Sequence, residues 1–193
     1  MNKTDVITFF DRCAPLWDVK MVRNEAVITE ILDRAGIKAG LDVLDVACGT
    51  GVLFPDYLKR GLKSLTAIDI SPEMVKAAKS RYPDVHVICG DVETYAFSQK
   101  FDAVMIYNAF PHFQDPERLI RIIAGVLVPG GRLSVAHGMS RAALLKHHSG
   151  PASLVSRELP DTPMLKEMMS AYFDVDVAIS NDNMYQVSGI KKS

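Results

Sequence analysis

The sequence predicts an α/β fold with a doubly wound, mostly parallel sheet. Short apolar segments alternate with helical patterns throughout Leu41–His137, as in βαβ units whose helices cover both faces of a sheet. Near the C-terminus, two alternating segments, Phe173–Ile179 and Met184–Ile190, are separated by the polar run Ser180–Asn183. This pattern predicts a hairpin and therefore an antiparallel last strand.

The alternating region contains five predicted strands. They are expected at Leu41–Ala47, Ser64–Ile70, Val85–Cys89, Phe101–Tyr107 and Arg132–His137. Between them, helices are expected at Val52–Arg60, from an N-cap at Ser71 to Arg81, and from Asp115 to Leu127. Ser71 and Asp115 are each followed by proline, which favours a helix start.

The regions outside this core are less regular. Helical spacing is expected at Asp5–Arg12 and Met21–Ala35, with Gly36 as a C-terminal cap. After the last parallel strand, helices are expected at Met139–His148 and Met164–Tyr172. The proline-rich stretch between these two helices is expected to be irregular.

The composition excludes several classes of protein. A chain of 193 residues fits one domain, and its net charge of −1 argues against a nucleic-acid partner. No apolar run approaches the roughly 20 residues of a membrane span, and the N-terminus does not resemble a signal peptide. Cys13, Cys48 and Cys89 are too widely spaced for a zinc knuckle or a disulfide framework. We therefore expect a cytoplasmic protein.

The chemistry-bearing residues follow the first two strands. Gly49 and Gly51 allow a tight turn and a close approach of the backbone to a ligand. Asp69 ends the second strand, where an acidic side chain grips a ribose diol. Phe54 stands where a dinucleotide fingerprint has its third glycine, which disfavours a diphosphate site.

Five motifs, in order, resemble those of class I S-adenosylmethionine-dependent methyltransferases. They are VLDVACGTG (Val43–Gly51), AIDISPEM (Ala67–Met74), GDVETYAF (Gly90–Phe97), FDAVMIYNAFPHFQDP (Phe101–Pro116) and LVPGGRLSVAH (Leu127–His137). The leader FFDRCAPLWD (Phe9–Asp18) resembles that of small-molecule enzymes of the ubiquinone and menaquinone type. One departure is Ala47, which replaces a glycine common in the first motif.

The resemblance implies a Rossmann-like sheet of seven strands in the order 3-2-1-4-5-7-6, with strand 7 antiparallel. It also implies S-adenosyl-L-methionine as co-substrate, bound by residues of these motifs: Asp45, Ala47, Gly49, Gly51, Asp69, Ile70, Met74, Asp91, Val92 and Asn108.

Eight of these ten positions take a specific role from the resemblance. At the adenosine end, Asp69 holds the ribose hydroxyls, Ile70 packs on the adenine, and Asp91 accepts from its amino group beside the backbone of Val92. At the methionine end, Gly49 and Gly51 flank the amino acid, Asp45 orients its ammonium, and Asn108 brings backbone groups close.

Two histidines are candidate catalytic bases, since both follow strands that end at the cleft. They are His112 and His137, and each has the alternative of being an ordinary hydrogen-bonded histidine. With His147 and His148 they are also an open alternative for a metal site, although methyl transfer needs no metal.

The sequence therefore predicts one methyltransferase domain. Residues 1–38 form a helical lid with an aromatic cluster at Phe9, Phe10 and Trp17, and residues 41–137 form the cofactor-binding core. Residues 138–163 form a substrate cap, and residues 164–193 form the C-terminal helix and hairpin.

The partner we expect is a small-molecule acceptor, and a homodimer stays open. The alternatives are a non-catalytic module that binds S-adenosylmethionine and, less favoured by the motifs, a nicotinamide-dependent oxidoreductase.

Overall fold

A seven-stranded sheet forms the centre of the computed structural model, which describes residues 2–147 and 151–193. The strands are β1 (Asp42–Val46), β2 (Ser64–Asp69), β3 (His86–Cys89), β4 (Phe101–Tyr107), β5 (Leu127–His137), β6 (Phe173–Ser180) and β7 (Tyr185–Lys191). Their order is β3-β2-β1-β4-β5-β7-β6. Strands β1 to β5 are parallel, and β7 runs antiparallel to both β5 and β6. The predicted strand order and antiparallel last strand are confirmed.

Eight α-helices surround the sheet in the described part of the chain. They are α1 (Lys3–Cys13), α2 (Trp17–Lys20), α3 (Glu25–Arg34), α4 (Phe54–Lys59), α5 (Pro72–Arg81), α6 (Pro116–Val126), α7 (Arg141–His147) and α8 (Thr162–Ser170). Short 3₁₀ turns occur at Ala14–Leu16, Phe110–His112 and Pro151–Val155. None of the described helices is long and apolar enough to cross a bilayer.

The sheet is buried on both faces because successive side chains of a strand point to opposite sides. Strand β1 shows this directly. Its Val43 belongs to an apolar cluster with α3, α4 and α5, whereas Leu44 and Val46 belong to a second cluster with α6 and α8. Both clusters contain fully buried side chains, so β1 is packed on both of its faces.

Side-chain caps explain where several helices begin. The Ser71 hydroxyl accepts a hydrogen bond from Met74 N at 3.2 Å, and Pro72 occupies the first turn of α5. Asp115 caps α6 in the same way, accepting from Arg118 N at 2.9 Å. Caps of this kind satisfy backbone donors that have no partner within the helix.

Two predicted elements have different bounds in the structure. The helix expected from Met21 begins at Glu25, because the Asn24 side chain caps it by accepting from Val27 N. The last parallel strand begins at Leu127 rather than Arg132, with a break in its register against β4.

The N-terminal residues before α3 cross the carboxyl ends of the parallel strands. We call residues 2–24 the strap. Helix α1 of the strap packs against α5 and against the Pro151–Val155 turn. The strap therefore connects the core to the cap segment that follows β5.

Candidate functional site

A cavity lies at the carboxyl ends of β1, β2, β3 and β4, the edge at which open α/β sheets bind ligands. Its empty volume, including the mouth, is about 990 Å³. The residues that line it are Lys3, Val6, Phe10, Trp17, Met21, Ala47, Cys48, Gly49, Val52, Ile68, Asp69, Ile70, Met74, Gly90, Asp91, Val92, Glu93, Tyr107, Asn108, Ala109, His112, Phe113 and Gln114. Most of its wall is apolar, and polar groups cluster at the strand ends.

The loop after β1 forms the floor of the cavity. Gly49 has a φ of +55°, and a Cβ built on it meets no atom within 4 Å, so the loop leaves open space there. Ala47 has the same φ of 55°, a left-handed conformation that costs an L-residue about 1–2 kcal/mol. The glycine usual at this motif position would avoid that cost.

Asp69 ends β2 and is almost fully buried in the cavity wall. Its Oδ2 accepts from Gly49 N at 2.8 Å, and its Oδ1 accepts from Ser71 N at 2.9 Å. Burial raises the pKa of Asp69, while backbone hydrogen bonds from Ser71, Gly49 and Ile70 oppose the increase. A carboxylate has about four acceptor sites, so capacity remains for a hydroxyl group of a diol.

Asp91 follows β3 and lies at the far end of the cavity. Its Oδ1 accepts from Glu93 N at 2.9 Å, which fixes the turn. Its Oδ2 lies 2.5 Å from Lys3 Nζ, and the same ammonium lies 2.5 Å from the Glu93 carboxylate. The side chains of Ile70, Met74 and Val92 provide an apolar surface between this group and Asp69.

Asn108 follows β4 and has the second left-handed backbone among non-glycine residues that the structure describes, with a φ of 55°. Its backbone N donates to Ala136 O at 2.9 Å, and its side-chain Oδ1 accepts from Gly138 N at 3.0 Å. These contacts tie the end of β4 to the end of β5. The neighbouring Tyr107 has its pKa raised to about 12, chiefly by burial.

His112 borders the cavity from the 3₁₀ turn after β4. Its Nδ1 lies 2.8 Å from Val155 O and 3.1 Å from Ser156 Oγ, both in the cap segment. Its ring meets the Phe10 ring edge-on, with 4.9 Å between centroids.

The strap closes the cavity with an aromatic surface. The Phe10 ring packs edge-on against Phe9 and Trp17, at centroid distances of 5.2 and 5.7 Å. Phe10 and Trp17 line the cavity, whereas Phe9 does not.

Polar contacts attach the strap to the loops below it. Asp11 accepts from the Ser71 hydroxyl at 2.6 Å, and Asp18 accepts from the Thr50 hydroxyl at 2.6 Å and pairs with Arg81. With the Lys3–Asp91 pair, the strap therefore has one anchor on the loop after each of β1, β2 and β3.

Two of the expected cofactor residues lie behind the cavity lining. Asp45 is only 2% exposed, and burial raises its pKa well above the usual value, with a further contribution from the Asp69 carboxylate. Gly51 has a φ of +87°, and a Cβ there would lie 2.6 Å from the Phe54 ring. Gly51 thus serves the packing of α4, whereas Gly49 borders the ligand space.

His137 does not face the cleft, which corrects our expectation. It alternates along β5 with Leu133 and Val135, so its side chain enters the apolar cluster beneath the sheet edge. It is fully buried, with its ring 6.0 Å from that of Tyr185. The position at the strand end was predicted correctly, but the side-chain direction was not.

The metal alternative includes His148, which lies outside the described residues. Within residues 2–147 and 151–193, no group of three His, Cys, Asp or Glu side chains is arranged to hold a metal ion.

The cavity includes residues that the motifs did not indicate. Lys3, Val6 and Met21 come from the strap, and Tyr107 and Gln114 flank the predicted Asn108 and His112. The helical spacing of α1 was visible in the sequence, but its docking partner was not. Tyr107 and Gln114 lie within the motif Phe101–Pro116. Their closeness in sequence to Asn108 and His112 could have identified them as cavity residues.

The chain is similar to known proteins in both sequence and fold. Residues 44–135 match the protein family described as "Methyltransferase domain". A demethylmenaquinone methyltransferase of Renibacterium salmoninarum is 35% identical over 138 residues, which cover 68% of this chain and 58% of that protein. A ubiquinone biosynthesis O-methyltransferase of Xanthomonas euvesicatoria pv. vesicatoria is 38% identical over 125 residues, covering 62% and 50%. The chain thus spans about half the length of these curated relatives.

Among solved structures, magnesium protoporphyrin IX methyltransferase from Synechocystis PCC 6803, with bound S-adenosylhomocysteine, superposes with a TM-score of 0.75. The superposition covers 99% of this chain and 100% of that one at 17% identity, and so shows a shared fold. With the strand order, the glycine loop and the sequence relatives, it leads to one assignment. Residues 44–135 form a methyltransferase domain, and the chain has the fold of the class I S-adenosylmethionine-dependent methyltransferases.

Proposed function

We propose that this protein transfers the methyl group of S-adenosylmethionine to a small-molecule acceptor and releases S-adenosylhomocysteine. The observation that carries the proposal is the Asp69 carboxylate. It lines the cavity, is anchored by Gly49 N and Ser71 N, and keeps acceptor capacity beyond its backbone donors. This arrangement suits a ribose diol beside an apolar pocket.

The adenosine moiety would lie between Asp69 and the loop after β3. Ile70, Met74 and Val92 offer the apolar surface that an adenine ring requires. The Asp91 carboxylate, held by Glu93 N and Lys3, is the acceptor for the exocyclic amino group.

The methionine moiety would lie over the loop after β1. Gly49 leaves open space there, and Ala47 and Asn108 border it with left-handed backbones. Asp45 and Gly51 support this end from behind: Asp45 as a buried acidic group, and Gly51 by allowing Phe54 to pack.

The reaction requires alignment and exclusion of water more than acid or base strength. A nucleophilic atom of the acceptor attacks the methyl carbon from about 3 Å, the sulfur–methyl bond breaks, and sulfur keeps the electron pair. The strap would exclude water, since Phe10 and Trp17 form part of the cavity wall. If the nucleophile carries a proton, His112 is the base that borders the cavity, whereas the buried His137 would support the site from below.

The acceptor would be a small molecule, because the cavity is mainly apolar and the strap covers part of it. Support comes from the two curated relatives, whose names refer to quinone biosynthesis. The wide spacing of Cys13, Cys48 and Cys89 in the sequence fits a reducing, cytoplasmic setting. A nicotinamide oxidoreductase is disfavoured by Phe54, which is fully buried where a dinucleotide fingerprint has glycine.

The first test is calorimetric binding of S-adenosylmethionine and S-adenosylhomocysteine to the wild type, Asp69→Ala and Asp84→Ala. Asp84 is an exposed loop aspartate and serves as the matched control. We expect micromolar binding to the wild type and control, and at least tenfold weaker binding to Asp69→Ala, since a charge-assisted hydrogen bond contributes about 1.5–3 kcal/mol. Absence of binding to folded wild type would refute the proposal.

A second test distinguishes an enzyme from a binding module. The protein is incubated with methyl-labelled donor and a panel of quinols, phenols, thiols and tetrapyrroles, and label transfer is followed. Label in any acceptor, lost in Asp69→Ala, supports catalysis. Tight donor binding with no transfer across the panel would favour the non-catalytic alternative.

A further inference from the structure

His112 is attached to the cap segment by one edge of its ring. Its Nδ1 lies 2.8 Å from the Val155 carbonyl oxygen and 3.1 Å from the Ser156 hydroxyl. Neither of these residues lines the cavity, whereas His112 does. The Nδ1 edge is therefore directed toward the cap.

The chemistry of these two partners fixes the position of the ring proton. A carbonyl oxygen can only accept a hydrogen bond, whereas a hydroxyl can donate or accept. If Nδ1 carried a lone pair, it would face the Val155 oxygen at 2.8 Å with no proton between them. The neutral ring therefore carries its proton on Nδ1, and Nε2 is the basic nitrogen.

The backbone keeps this geometry independently of the serine side chain. Arg157 N donates to Pro111 O at 2.8 Å, and the Arg157 guanidinium donates to the Gln114 carbonyl. These bonds join the cap to the residues on both sides of His112. Removal of the Ser156 hydroxyl therefore leaves the cap in place, while removing one of the two acceptors around Nδ1.

We propose that the Val155 carbonyl and the Ser156 hydroxyl position His112, holding its proton on Nδ1 so that Nε2 serves as the proton acceptor for the bound substrate. Ser156 is a positioning residue, since it acts through His112. The part played by Nε2 rests on the proposed methyl transfer, whereas the tautomer itself does not. Fixing a histidine tautomer through its second nitrogen is a general way to prepare a base.

The tautomer can be observed without any knowledge of the acceptor. Protein labelled with ¹⁵N is studied by two-bond ¹H–¹⁵N correlation spectra at about pH 8.5, where ordinary imidazoles are neutral. The chain has five histidines, and His112→Gln identifies the signal of interest. Spectra of the wild type, Ser156→Ala, Ser156→Thr and Ser153→Ala are compared. Ser153 is an exposed serine of the Pro151–Val155 turn, three residues before Ser156, and is the matched control.

We expect the Nδ1–H form for His112 in the wild type and in Ser153→Ala. In Ser156→Ala the ratio of the Nε2–H form to the Nδ1–H form should increase about fivefold, as expected for the loss of one neutral hydrogen bond. Ser156→Thr retains the hydroxyl and should restore the wild-type ratio. A predominant Nε2–H form in the wild type, or an unchanged ratio in Ser156→Ala, would overturn the proposal.

Calorimetry with S-adenosylhomocysteine on the same variants separates this inference from the proposed function. Ser156 lies outside the cavity lining, so Ser156→Ala should bind with wild-type affinity. If wild type shows the Nδ1–H form but no binding, the proposed function fails while the positioning of His112 stands. If binding is normal and the tautomer is wrong, only the positioning proposal fails.

Discussion

Ala47 and Asn108 share a φ of 55° at the ends of the neighbouring parallel strands β1 and β4, and both line the same cavity. Non-glycine residues rarely adopt this left-handed conformation, and where they do they are concentrated at functional sites. The strain thus lies at the point where the chain turns around the ligand space. Relieving the strain at Ala47 therefore measures how much the site lowers the free energy of unfolding.

Ala47→Gly should raise the free energy of unfolding by about 0.5–1 kcal/mol. The substitution removes about 1–2 kcal/mol of left-handed strain, partly offset by the larger entropy of glycine in the unfolded chain. Urea denaturation measures the change. Ala142→Gly, on the exposed face of α7, is the control and should lower stability by up to about 1 kcal/mol. A loss of stability in both variants would show that Ala47 is not strained.

Substitutions of the two glycines in the loop after β1 should affect ligand binding and stability differently. Gly51→Ala places a methyl group 2.6 Å from the Phe54 ring at a φ of +87°, so we expect a loss of about 2 kcal/mol or more. Gly49→Ala meets no protein atom, so its cost should stay near the strain alone, about 1 kcal/mol.

The loss of ligand affinity should be larger for Gly49→Ala than for Gly51→Ala, the reverse of their effects on stability. The added methyl group of Gly49→Ala enters the cavity, so S-adenosylhomocysteine should bind at least tenfold more weakly than to folded Gly51→Ala. Calorimetry and urea denaturation on both proteins check this. Equal effects on affinity would mean that both glycines contact the ligand.

The pH dependence of stability should reflect the buried acid Asp45. Its pKa is raised well above the usual value, by burial and then by Asp69. The pKa of Asp45 is about 4 in the unfolded chain and higher in the folded chain. At pH values between the two, the folded chain binds the proton more readily than the unfolded chain does. The free energy of unfolding should therefore fall as the pH rises through this range.

Asp45→Asn removes the titrating group, and so should flatten this slope and raise stability at the alkaline end. Urea denaturation at pH 5, 6, 7 and 8 measures both effects. The exposed Asp84→Asn should keep the wild-type slope. An identical slope in Asp45→Asn would show that Asp45 is ionised in the folded chain throughout this range.

The strap should control ligand retention. Deletion of residues 2–18 removes Phe10 and Trp17 from the cavity wall, together with the anchors at Lys3, Asp11 and Asp18. We expect S-adenosylhomocysteine to bind at least tenfold more weakly, by calorimetry. Full affinity in the deleted protein would show that the strap does not enclose the donor.

A milder variant of the strap allows a kinetic measurement. Trp17 is the single tryptophan of the chain, so its fluorescence should report ligand binding directly. In Phe10→Ala the ligand should dissociate faster in stopped-flow displacement, while Phe9→Ala, outside the cavity lining, should dissociate at the wild-type rate.

The core of the fold followed from periodicity, because each strand of a parallel sheet is a short apolar run between turn residues. Asp69 and Asn108 were predictable as cavity residues for the same reason, since a strand end fixes their location. His137 shows the limit of this reasoning. Its position at a strand end was evident, yet the alternation along β5 turns its side chain into the core.

The strap was beyond prediction from sequence alone. Lys3 meets Asp91 across 88 positions of the chain, and Asp11 meets Ser71 across 60. Such pairs depend on the docking of α1 against α5, for which no local pattern exists. The same applies to the contact of His112 with Ser156, which joins the 3₁₀ turn after β4 to the cap segment.

The three anchors of the strap have a consequence for turnover. Each anchor binds a different loop at the cavity, so under the proposed function the spent donor would leave after contacts on several loops have been released. We therefore expect the rate of turnover to be limited by the opening of residues 2–24. Substitutions at Asp11 or Asp18 would then change how fast the protein cycles while leaving the methyl-transfer step itself untouched.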